Sequence, residues 1–218
     1  MIQNIIFDFD GTLADTTEGI VRTTNRALRE LGLPERSSAE IRRGIGLPLK
    51  GSLKVGAEIP DELLDEAVLA YRRVFDEEAP SVIVLYPGIK EALAAFAERG
   101  LRMAIATSRS SRSLVMLLSM LGIDSYFEDL ATVEVAAHPK PAPDTVLYLL
   151  DRMNIKPEET LVVGDTTFDL EMGQRAGCRV CGVSWGNQSA GQLATCTPDG
   201  IAADADELKR FCLSLTDK

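Results

Sequence analysis

The chain has 218 residues, 45% of them hydrophobic, which allows a sizeable core and one or two domains. Its formal net charge of −10 argues against nucleic acid or an anionic membrane surface as the main partner. No stretch approaches the ~20 consecutive apolar residues that span a bilayer, and the N-terminus carries no basic region followed by an apolar run and a cleavage site, so a cytoplasmic protein is expected.

The first element is a short apolar strand, Ile5-Ile6-Phe7, that runs into Asp8-Phe9-Asp10-Gly11-Thr12. Residues i and i+2 of a strand share a face, so two carboxylates at its end would repel unless a cation, a shared proton or a reaction uses them. From Asp15 to Glu78 the pattern is helical. Asp15-Thr16-Thr17-Glu18 and Ser37-Ser38-Ala39-Glu40 have capping-box form, and Gly32 closes the first helix. Leu63, Leu64, Ala67, Val68, Tyr71, Val74 and Phe75 trace the stripe of a longer helix.

From Pro87 onward strands and helices alternate. The expected order is helix Ile89–Glu98, strand Met103–Thr107, helix Ser113–Leu121, strand Leu130–Val133 and helix Pro143–Met153. Strand Leu161–Gly164, helix Leu170–Ala176 and strand Arg179–Val183 follow. Such alternation implies a parallel sheet with helices on both faces. The fold class is therefore α/β, a Rossmann-like core of residues 1–14 and 86–218 with a helical cap of residues 15–85 inserted after the first strand.

Cys178 and Cys181 have redox or zinc spacing, but no second ligand pair accompanies them and His138 is the only histidine. Buried structural thiols are the better reading.

In an open parallel sheet the functional crevice lies at the carboxyl ends of the strands. Asp8 and Asp10, Thr107-Ser108, and Gly164-Asp165-Thr166-Thr167-Phe168-Asp169 fall at such ends, and Lys140 lies in a loop that could reach them. Asp8, Asp10 and Asp165 are hard oxygen donors suited to Mg²⁺. One carboxylate can attack phosphorus and a second can protonate the leaving oxygen, while a hydroxyl and a lysine bind the equatorial oxygens. The inventory fits metal-assisted phosphoryl transfer on a small phosphorylated metabolite.

These residues, in this order, resemble the four motifs of the haloacid dehalogenase-like hydrolases, and the insertion resembles the small helical cap of the phosphoglycolate phosphatase and β-phosphoglucomutase branch. The resemblance implies Asp8 as nucleophile and Asp10 as general acid and base, with Thr107 holding the phosphate and Lys140 balancing the charge of Asp8 and the phosphate. It implies Mg²⁺ on Asp8, Asp165, the Asp10 carbonyl and Asp169, the last directly or through water. Ile45-Gly46-Leu47-Pro48-Leu49, Tyr86-Pro87-Gly88, Lys140-Pro141-Ala142-Pro143-Asp144 and Gly182-Val183-Ser184-Trp185-Gly186 look most like phosphoglycolate phosphatases. Ser108-Arg109 departs from the Asn-Lys frequent there and is read as a substrate contact. Pyrophosphatases, sugar-phosphate phosphatases and phosphomutases of the branch share these phrases. A phospho-receiver domain also places acidic residues, Thr and Lys around an aspartyl phosphate, but lacks the insertion.

The stretch from Arg36 to Lys54 carries Arg36, Arg42, Arg43, Lys50 and Lys54 against Glu40 alone. Each alone reads as part of a solvated basic face. Together they suggest cations for an anionic leaving group, with Arg43, Lys50 and the loop at Gly46 as substrate contacts, Gly44 and Gly46 permitting close backbone approach, and cap closure setting specificity.

Overall fold

The computed structural model describes residues 1–78 and 81–216; residues 79, 80, 217 and 218, which fall within the expected cap and core ranges, lie outside the described residues. Two compact units emerge, residues 1–14 with 85–218, and residues 15–84. The chain passes between them in two-residue strands, β2 (Ala14–Asp15) and β3 (Val84–Leu85), which pair with each other.

The larger unit is an α/β sandwich on a six-stranded sheet. In spatial order its strands are β5 (Asp129–Ala131), β4 (Arg102–Ala106), β1 (Asn4–Phe7), β6 (Thr160–Gly164), β7 (Arg179–Val183) and β8 (Gly200–Ala202). Every neighbouring pair is parallel. The central strands are apolar without alternation because both faces are covered. Phe7 turns to one face and stacks on Phe96 of α5 (Ile89–Glu98) at 6.2 Å between ring centroids. Ile6 turns to the other, joining Ala104 and Val162 against Val146 and Leu149 of α7 (Asp144–Arg152) and Leu170 and Met172 of α8 (Thr167–Arg175). Phe7 pairs with both Ile105 and Val163, so the residues that follow these three leave the sheet side by side.

Most expected elements are present, with informative shifts. Helix α8 starts at Thr167 rather than Leu170, because Thr166 and Asp169 form a capping box. Strand β5 is Asp129–Ala131, and Val133–Val135 is a 3₁₀ turn rather than strand. Three C-terminal elements escaped the sequence reading: α9 (Ala190–Leu193), β8 and α10 (Ala205–Ser214). Edge strand β8 is only Gly-Ile-Ala, too short for a period to register. Helix α10 announces itself mainly by its cap, Asp204 accepting from the Glu207 N–H at 2.8 Å.

The smaller unit holds α1 (Thr17–Glu30), α2 (Ser38–Arg42), α3 (Leu49–Gly56) and α4 (Leu64–Glu78). Ala27 and Leu28 of α1 and Ala67, Ala70, Tyr71, Val74 and Phe75 of α4 are buried, and the two helices pack on each other. The Ser37–Glu40 capping box forms as expected. The one expected at Asp15 does not: Asp15 accepts from the Thr17 N–H at 3.2 Å, the N-cap is Thr16, and Glu18 turns along the helix to pair with Arg22 instead. Gly44 is demanded by packing inside this unit, since a Cβ there would lie 2.4 Å from the Ser52 carbonyl oxygen.

Candidate active site

The parallel register delivers Asp8 from the end of β1, Thr107 from β4 and Asp165 from β6 to one edge of the sheet. Lys140, from the loop before α7, comes to the same edge and is buried. Its ammonium donates to Asp8 Oδ1 at 2.6 Å, to Asp169 Oδ1 at 2.7 Å and to the Ala106 carbonyl at 3.0 Å. Asp169 is held from the other side: its Oδ2 accepts from the Thr166 hydroxyl at 2.6 Å and the Thr166 N–H at 3.1 Å. Gly164 makes room for it, because a Cβ there would meet the Asp169 Cβ at 2.2 Å.

Asp165 is completely buried. Its Oδ1 accepts from the Thr12 hydroxyl at 3.2 Å, and its Oδ2 accepts from the backbone N–H of Asn187 at 2.7 Å and from Asn187 Nδ2 at 2.8 Å. Gly11 allows this seat twice over: its φ of +87° lies in the left-handed region, and a Cβ would stand 2.2 Å from Asp165 Oδ2.

Asp8, Asp165 and Asp169 each bring a carboxylate oxygen within 4.8 Å of the others. Burial pushes the Asp8 carboxyl well above its ordinary range; Lys140 pulls it back, while Asp169, Asp165 and, least of all, Asp10 add repulsion. Burial and the neighbouring Asp169 push Asp165 up to about 7, against the hydrogen bonds from Asn187 and the pull of Lys140. Burial alone would lower the Lys140 ammonium, but Asp169 and Asp8 outweigh it and hold it above its usual value. Three buried carboxylates against one buried ammonium leave negative charge uncompensated. The donors are all hard oxygens, so the residues fit a divalent cation such as Mg²⁺.

Asp10 belongs to a different ion pair. Strand β1 ends at Phe7, so both carboxylates lie in the segment that follows the strand, and Gly11 turns the chain after them. Arg109 clasps Asp10 in two bonds, Nε to Oδ2 at 2.7 Å and Nη2 to Oδ1 at 2.6 Å. The guanidinium also donates to the Ser113 hydroxyl at 2.8 Å and lies 5.6 Å from the centre of the Phe9 ring. The Arg109 N–H donates to the Thr107 hydroxyl oxygen at 3.2 Å, and Ser108 is half-buried beside it.

Four of the five basic residues singled out between Arg36 and Lys54 find carboxylates within the helical unit, Arg36 lying 3.5 Å from Glu58. Arg43 pairs with Glu58 at 2.9 Å, Lys50 with Asp65 at 2.6 Å and Lys54 with Asp61 at 2.6 Å. The sequence window stopped short of those acids. Gly46 adopts a φ of +98° in the turn between α2 and α3. Cys178 and Cys181 are buried free thiols, both pushed up to about 12 by burial.

Two contacts are not announced by the sequence: Thr12 carries no signal beyond its motif, and Asn187 none beyond directly following the Trp185-Gly186 phrase after β7. Its position at a strand's carboxyl end was the available signal. Trp185 fixes that loop by donating its indole N–H to the Thr12 carbonyl at 3.1 Å.

A family model described as haloacid dehalogenase-like hydrolase matches residues 5–183. A protein named "Probable phosphatase IndB" from Dickeya dadantii is 38% identical over 210 residues, covering 94% of this chain and 90% of its own. Pyrophosphatase PpaX of Anoxybacillus flavithermus is 29% identical and covers 95% of each chain. A phosphoglycolate phosphatase of Vibrio vulnificus is likewise 29% identical, covering 95% of this chain and 94% of its own. Among solved structures, a haloacid dehalogenase-like family hydrolase from Streptococcus pneumoniae is 26% identical with a TM-score of 0.88, covering 97% of this chain and 98% of that one. With its four motifs gathered at one sheet edge and the family pattern running through most of its length, the chain belongs to the haloacid dehalogenase-like hydrolases.

Proposed function

We propose that the chain is a Mg²⁺-dependent phosphatase that hydrolyses a small phosphorylated metabolite bearing a second anionic group, through an aspartyl phosphate on Asp8. The observation that carries this is the buried Lys140 ammonium set between Asp8 and Asp169, beside Asp165, where three strands end. A carboxylate so placed is a nucleophile with a fixed counter-charge.

Asp8, Asp165 and the Asp10 carbonyl would hold the metal, with Asp169 joining directly or through water. When bound, Mg²⁺ supplies charge that offsets the repulsion between carboxylates and an incoming phosphate. The Thr107 hydroxyl holds a phosphoryl oxygen, where charge lies during transfer, while the Lys140 ammonium, donating to Asp8, Asp169 and the Ala106 carbonyl, balances the charge of Asp8 and the phosphate. An Asp8 oxygen bonds to phosphorus as the bond to the leaving oxygen breaks, and protonated Asp10 gives that oxygen its proton. Water then attacks the phosphoryl group and yields its proton to Asp10; the bond to Asp8 breaks, releasing phosphate and restoring the Asp8 carboxylate. Poor alkoxide leaving groups need this proton, which is why Asp10 favours a phosphatase over a dehalogenase.

Both Asp10 oxygens accept from Arg109, so the clasp must open for Asp10 to face a leaving group. A substrate anion is the natural replacement partner for a guanidinium fork. Phosphoglycolate offers a carboxylate and pyrophosphate a second phosphoryl group, and relatives of this chain are named for each.

Asp8→Asn should lower kcat on a generic phosphate ester with Mg²⁺ by at least about 10³-fold; undiminished turnover would sink the nucleophile assignment. A screen over phosphoglycolate, pyrophosphate, sugar phosphates and nucleotides should favour the first two. A flat, weak profile would make the second-anion requirement untenable.

A further inference from the structure

Asn187 lies in the loop after β7, and two of its polar atoms serve Asp165. The backbone N–H and Nδ2 both donate to Asp165 Oδ2, at 2.7 and 2.8 Å. Electrostatics settles the amide's orientation, since a carbonyl oxygen turned to that carboxylate would be repelled. The side-chain oxygen, Oδ1, is buried and has no hydrogen-bond partner among the described residues. An acceptor inside a protein that finds no protein donor takes its hydrogen bond from a water or a ligand. The surroundings are built to keep Asn187 there. A Cβ on Gly186 would lie 2.3 Å from Asp165 Oδ2 and 2.4 Å from the Gly11 carbonyl oxygen, so only glycine lets the loop come this close. Trp185, the preceding anchor, is tied to the Thr12 carbonyl and lies against Tyr86 with ring centroids 6.1 Å apart.

The chemistry of the side chain is also telling. A lysine or arginine at this place would neutralise Asp165 and compete with a cation for it. A neutral amide orients the carboxylate while leaving its charge available. It also adds a hard oxygen, the kind of acceptor that takes a hydrogen bond from a cation's water.

We infer that Asn187 is a metal-positioning residue, which aims the Asp165 carboxylate through its two N–H donors and offers Oδ1 to the hydration shell of the divalent cation. The inference rests on the Mg²⁺ reading of the acidic cluster, and calorimetric titration separates the two. The parent protein should take up one Mg²⁺ and Asp165→Asn should take up none. Asn187→Ala and the near-isosteric Asn187→Leu should each weaken Mg²⁺ affinity about 10- to 100-fold, with metal-free melting curves showing that each variant is folded. A Mg²⁺ affinity within twofold of the parent in a folded variant would overturn the role of Asn187 alone. Failure of the parent to bind Mg²⁺ would remove the metal reading and this inference with it. A measurement that needs no variant completes the test. Mn²⁺ added to the parent should broaden the Asn187 side-chain amide resonances beyond detection, and sharp, unshifted resonances at saturating Mn²⁺ would overturn the proposal.

Discussion

Lys140 in the α/β unit and Lys50 in the helical unit each hold an aspartate oxygen at 2.6 Å, yet the two contacts are physically unlike. The Lys140 side chain is 3% exposed and shared by two buried carboxylates, whereas the Lys50 side chain is 57% exposed and faces a carboxylate that is 87% exposed. Water screens the second pair and costs it little if broken, while the first has no solvent to fall back on. Distance therefore says little by itself. Burial decides which ion pairs organise the molecule, and the α/β unit has concentrated its buried charge at one sheet edge.

The sharpest way to break this comparison is to delete one ammonium at a time. Lys140→Met should destabilise the protein by about 3–5 kcal/mol, because buried carboxylates lose their counter-charge; denaturant unfolding checks this, and a loss below about 1 kcal/mol would show that the cluster is better solvated than its burial indicates. Next in size is Asp165→Asn. Asp165 has a folded value near 7, raised above its ordinary 3.8. Between those values the unfolded chain releases the proton first, so this residue makes the metal-free protein less stable as pH rises from about 4 to about 7. Metal-free Asp165→Asn should therefore be more stable than the parent at pH 7.5 by roughly 1–3 kcal/mol, with the gain shrinking toward pH 4. A gain independent of pH would point to packing rather than charge.

Ser37→Ala removes the N-cap of α2 and should cost about 1 kcal/mol by the same unfolding measurement; no change would mean that α2 is held by packing alone. Lys50→Met should cost less than about 1 kcal/mol. A larger loss there would erase the contrast between the two lysines.

Much of the site was legible because motif residues sit next to apolar strands. Asp8, Thr107 and Asp165 each directly follow, or nearly follow, a run whose burial pattern is unmistakable, so their shared edge could be deduced from parallel topology. Lys140 was placed by its loop. Asp169 was read as a metal-side carboxylate, but its second task, capping α8 with Thr166, emerged from the helix beginning three residues early. Arg109, expected to meet substrate, also clasps Asp10, a pair that joins residues 99 positions apart. Local pattern carries no trace of such a pair.

By itself, the sequence determined the α/β class, a helical stretch after the first strand and the acidic, hydroxyl and lysine residues that gather at one sheet edge, because periodicity and residue type are local properties. Tertiary structure decided which charges meet. It gave Lys140 to Asp8 and Asp169, Arg109 to Asp10, and Asn187 to Asp165, and it matched Arg36, Arg43, Lys50 and Lys54 with acids outside their own stretch. The reason is that burial and counter-charge depend on where distant segments converge, and these two quantities make a carboxylate a nucleophile, a metal ligand or an ordinary surface group.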